Sequence, residues 1–114
     1  MNNVLVKTYA SICPASDGLY SAMRTLLEDW HVEEALSRRG DTMLISYEGI
    51  YFPAEQAAQI IGAHLDNKSE GKLDYLDLEN WQLHRYLILG RHLAYRNASL
   101  DLSLEYCAQG RILG

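Results

Sequence analysis

The sequence predicts an α+β fold: a mainly helical single domain with a small antiparallel, hairpin-based sheet. Three observations predict it. The chain has 114 residues, 48% hydrophobic and 22% charged, which suits one self-sufficient core and excludes disordered and collagen-like chains. Several segments repeat apolar residues at the three-to-four spacing of a helix face. One segment instead holds two short β-rich runs around a glycine.

Val4-Leu5-Val6-Lys7-Thr8-Tyr9 is rich in β-branched and aromatic residues and reads as a strand. Pro14 and Ser16-Asp17-Gly18 then break the chain, and Ser16 or Asp17 is placed to cap a following helix. In that helix Leu19, Met23, Leu26 or Leu27, and Trp30 form one stripe. The stripe loses phase after Trp30, so the helix is expected to bend near His31 or restart there. A second stripe of Val32, Ala35 and Leu36 then runs on to a stop at Gly40.

Thr42-Met43-Leu44-Ile45-Ser46-Tyr47 and Ile50-Tyr51-Phe52 read as two strands around a Glu48-Gly49 turn. Tyr47, Tyr51 and Phe52 crowd this hairpin, so helices or a neighbouring subunit must cover it. Pro53 suits the first turn of a helix whose face is Ala57, Ile60, Ile61, His64 and Leu65. Residues 66–72 read as a surface loop, and too little chain follows them for an independent core.

After Asp74, Asp77 and Glu79, which suit the positive end of a helix dipole, residues 78–96 have helical length and pattern, with Asp77 as cap. Leu100, Leu104 and Cys107 read as a last helix stopped by Gly110. Four or five helices would then surround the hairpin.

The net charge of −5 disfavours general attraction to nucleic acid or anionic lipid. Apolar runs such as Leu87-Ile88-Leu89 fall far short of the ~20 residues of a membrane span. Met1-Asn2-Asn3 lacks the basic start of a signal peptide, so a cytoplasmic protein with no membrane contact is expected. Asn97-Ala98-Ser99 matches a glycosylation sequon, which means nothing without secretion. In a reducing compartment Cys13 and Cys107, which form no Cys-x-x-Cys motif, read as small apolar residues.

The segment 80–100 contains three arginines and no acidic residue. On a helix, Trp81, His84, Arg85, Ile88, Arg91, His92, Tyr95 and Arg96 fall within an arc of about 140°. Leu83, Tyr86, Leu87, Gly90, Leu93 and Ala94 fall largely on the other side. Guanidinium forks interleaved with rings suit carboxylate, phosphate or protein contacts. The candidate partner-binding residues are therefore Trp81, His84, Arg85, Arg91, His92, Tyr95 and Arg96, opposed by the reading that acidic neighbours such as Glu33 and Glu34 neutralise them. A protein partner or a second copy fits this face better than nucleic acid, since three arginines bind phosphates weakly in an acidic chain.

Two other constellations point to chemistry. Glu28 and His31 have the Glu-x-x-His spacing of carboxylate-bridged metal bundles, but no second copy exists. His84 and His92, with Arg91 between them, would make an acid–base or anion pocket on one helix. The sequence lacks Gly-x-Gly-x-x-Gly, a P-loop lysine and Gly-x-Ser-x-Gly. The expected function is thus a small protein-interaction module, such as an adaptor, regulatory subunit or inhibitor, that self-associates and needs no cofactor. The alternative is a small enzyme or a metal or small-molecule binder using His31 with Glu28, or His84 with His92.

Overall fold

A computed structural model describes residues 4–101. Strand β1 (Val6–Cys13) leads into helix α1 (Asp17–Asp29), followed by a 3-10 turn (Glu33–Ala35) and the hairpin β2 (Leu36–Arg39) and β3 (Thr42–Gly49). Helix α2 (Ala54–Ala63) then leads to three strands, β4 (Glu70–Asp77), β5 (Gln82–Leu89) and β6 (His92–Ser99). All pair antiparallel in one sheet of order β2-β3-β1-β4-β5-β6. Elements β1 to β4 follow the β-α-β-β-α-β succession of a split βαβ, or ferredoxin-like, unit. β5 and β6 extend its sheet beyond β4.

This overturns the mainly helical expectation. The largest correction is at 78–96, where the proposed helix is instead the turn that follows β4, strand β5, a second turn and the first part of β6. Asp77 caps that turn, accepting from the amides of Glu79 and Asn80 at 3.1 Å each. The pattern misled because β5 has leucines on one side and Gln82, His84, Tyr86 and Ile88 on the other, so it lacks clean polar–apolar alternation. Gly90 sits at φ 62° in the two-residue turn Gly90-Arg91, which joins β5 to β6. A glycine with positive φ at the first turn position is a hairpin signal.

The proposed second stripe fails similarly: Leu36 begins β2, and Gly40, at φ 60°, opens the β2–β3 turn. β3 runs on to Gly49 through the expected Glu48-Gly49 turn, and residues 50–53 are a non-strand link to α2. The helix placed at Leu100, Leu104, Cys107 and Gly110 lies mostly outside the described residues.

Both helices pack on one sheet face. Leu19, Met23 and Leu27 of α1 and Ala57, Ala58 and Ile61 of α2 bury against Val6, Ala10, Ile12, Met43, Ile45, Leu73 and Ile88. Ser16 caps α1, its hydroxyl accepting from the Leu19 amide at 3.0 Å. Arg38 braces the same end, donating to Asp17 at 2.7 Å and to the Ala15 carbonyl at 3.0 Å. Thr8, between Tyr47 and Tyr75 on this face, is fully buried and its hydroxyl has no partner among the described residues. No described helix is long and apolar enough to cross a membrane.

Candidate functional site

The helices lie over the β1–β4 half of the sheet, and the β5–β6 extension projects past α2. Because strand side chains alternate, the register puts Tyr75 of β4, His84 and Tyr86 of β5, and Leu93 and Tyr95 of β6 on the helix-bearing face. They form the floor of an open groove of about 740 Å³. Its wall is α2, through Glu55, Gln56, Ala58, Gln59 and Gly62. Residues 51–53 close one end: Phe52, only 1% exposed, anchors the link, while Tyr51 turns out and packs on Trp30 at 4.8 Å between ring centroids.

The floor is a continuous run of rings. Centroids lie 5.8 Å apart for Tyr75–His84, 5.9 Å for His84–Tyr95 and 5.0 Å for Tyr86–Tyr95. The His84 and Tyr95 planes are only 16° from parallel, and His84 Nδ1 meets the Tyr95 hydroxyl at 2.5 Å. Nε2 is then the ring's remaining polar atom. Partial burial pushes the Tyr75 phenol above its ordinary value, aided by the negative charges of Asp77 and Glu79 and by Tyr51 and Tyr47. Burial, then Tyr95 and Glu55, does the same at Tyr86. Both phenols therefore stay protonated as hydrogen-bond donors through and beyond neutral pH.

Glu55 is the one carboxylate among the lining residues, and no lysine or arginine is among them. It stands in the first turn of α2, whose N-cap position is Pro53 and lacks a side-chain cap. The carboxylate thus offsets the positive end of the helix dipole where it meets the groove. Open space remains at the wall, since a Cβ added at Gly62 would meet nothing within 4 Å.

The residues expected to share one helix face are divided. His84 and Tyr95 meet in the groove. Arg85, His92 and Arg96 lie on the opposite sheet face. Trp81, at φ 56°, and Arg91 lie in the turns that flank β5. Trp81 donates from its indole N–H to Asp101 at 2.7 Å. The acidic neighbour of Arg85 is Asp74, whose two oxygens accept at 2.7 and 3.0 Å; Glu33 and Glu34 have no part in that pair. That hydrogen bonding holds the Arg85 guanidinium more firmly charged.

His84 and His92 are on opposite faces, so they form no joint pocket. Glu28 pairs with Arg24 at 3.5 Å, and His31 follows the end of α1 at φ 58°, so the pair has no shared helix face. Among the described residues no group of three or more His, Cys, Asp or Glu side chains converges as a metal site would require. Cys13, half-buried at the end of β1, forms no disulfide among the described residues.

Sequence reasoning missed Tyr75, Tyr86, Glu55, Gln59 and Gly62. Two-residue spacing held the signal for the rings, since His84, Tyr86 and Ile88 share one side of a strand. No local signal marks the α2 residues, which reach the groove only through the crossover. Comparisons with protein-family models, with curated proteins and with solved structures find no match to this chain.

Proposed function

We propose that this protein is a small-molecule-binding domain that holds a flat organic ligand, uncharged or cationic, in the groove between α2 and β4–β6. The observation that supports this reading is the unbroken floor of Tyr75, His84, Tyr86 and Tyr95 beside Glu55. Aromatic faces carry negative quadrupole charge, so they stack planar rings and attract cations. Anions gain little there, because no guanidinium or ammonium lines the groove. Phenol hydroxyls and the amides of Gln56 and Gln59 supply polar contacts at the margin. The reading keeps His84 as a binding residue without His92.

The test uses aromatic compounds of matched ring size, one uncharged, one cationic and one carboxylate, followed by the ring resonances of Tyr75, Tyr86 and Tyr95. The first two compounds should shift those resonances and the carboxylate should not. Gly62→Trp should abolish binding by filling open space while leaving the fold intact. Tyr86→Ala should weaken it about tenfold, the worth of one stacked ring. Preferred binding of the carboxylate, or undiminished binding by Gly62→Trp, would overturn the reading.

A further inference from the structure

The sheet has two outer edges, and they differ. β2 has four residues, among them Arg38 and Arg39, so it is short and charged as protected edges are. β6 has eight residues, no proline and no lysine, and its register with β5 is unbroken, so no bulge turns it aside. No described strand pairs with its outer side. We infer that β6 pairs antiparallel with β6 of a second copy, joining two sheets across a two-fold axis at Tyr95.

Backbone geometry selects that axis. Leu89 and His92 pair directly across the two-residue turn, which requires their N–H and C=O groups to bond each other. Alternation then turns the backbone groups of His92, Ala94, Arg96 and Ala98 toward β5. Those of Leu93, Tyr95, Asn97 and Ser99 point outward and pair with no described strand.

A two-fold axis normal to the sheet keeps each side chain on its own face, so residues of equal parity must meet. Centring on Tyr95 pairs Tyr95 with the partner's Tyr95, and Leu93 with the partner's Asn97, all through outward groups. On the other face Ala94 meets the partner's Arg96, and His92 meets the partner's Ala98. Every residue of β6 except Ser99 is then paired. Centring on Arg96 would instead oppose two guanidinium groups, which cross-strand pairing disfavours. A second copy is the occupant whose edge has this complementary pattern by symmetry. Tyr95, 48% exposed in the single chain, would then have its counterpart beside it. The ring floors of two grooves would become one surface.

The full chain is examined by sedimentation over a concentration series, together with amide hydrogen exchange. The expected species has twice the 12.9 kDa chain mass. Within it the amides of Leu93, Tyr95 and Asn97 exchange slowly, at rates that rise on dilution. Asn97→Pro removes one outward N–H and no bond to β5, so it should give a folded monomer in which Leu93 and Tyr95 exchange fast. Tyr95→Lys, which places two ammonium groups on the axis, is the second variant should the proline disturb folding. A wild-type chain that stays monomeric throughout the series overturns the inference, as does a dimer with rapid exchange at Tyr95 or one that survives both substitutions. Ligand binding by monomeric Asn97→Pro keeps this outcome separate from that of the groove.

Discussion

Asp74 is 8% exposed, and a carboxylate so withdrawn from water needs compensation. Arg85 supplies it with two hydrogen bonds from the facing strand, and Lys72 adds a contact at 3.6 Å. Removing the acid leaves a guanidinium that is itself largely covered. Asp74→Ala should therefore cost about 2–3 kcal/mol, read as a lower urea midpoint with an unchanged slope. Arg85→Ala with Asp74→Ala should cost less than the sum of the singles, as coupled partners do. At this scale some features are legible without coordinates. Ser16 or Asp17 reads as a helix cap because Leu19 and Met23 follow at helical spacing, and Ser16 is the one that caps. The pairing of Arg85 with Asp74 is not legible, because the two meet only when β4 and β5 come into register.

Among the elements, α1 and α2 are predictable from local pattern, since each has a start signal and one apolar stripe. β5 and β6 are not. Their residues read equally well at 100° and 180° steps, and the choice falls to strand pairing that no local window contains. Once β4 is present, β5 gains a partner on one side and β6 on the other, which settles the matter for Leu83, Tyr86 and Ile88. β4 is itself tied to the core at Gly71, which faces Ile12 at φ 145°. A Cβ there would collide with the Ser11 backbone carbonyl. Gly71→Ala should cost at least about 2 kcal/mol and also weaken ligand binding, because the floor of the groove hangs from β4. The check is urea denaturation alongside the ring-resonance titration. Loss of stability with full affinity would show that the extension holds its shape independently of that joint.

For the molecule as a whole, the raised phenol values make a pH dependence. Tyr75, Tyr86 and, on the open face, Tyr9 all titrate above 10.0 in the folded chain. Burial is the first cause in each. The unfolded chain releases these protons first, so the contribution of these three phenols to stability is fully present well below about pH 10 and is lost as pH climbs through the folded values. The thermal midpoint should drop over that interval, and Tyr75→Phe with Tyr86→Phe should lessen the drop. An equal decline in the double variant would assign it to other groups. The groove loses its donors over the same range, so affinity for an uncharged ligand that accepts from these phenols should fail together with stability at high pH.

The β-α-β-β-α-β unit completes its pairing at β4, and β5 and β6 contribute Ile88, Tyr86 and Leu93 to its interior, while Tyr95 stays outside it. Exchanging Tyr95 for other side chains would accordingly give the same scaffold new chemical tastes, since that ring lies outside the shared interior.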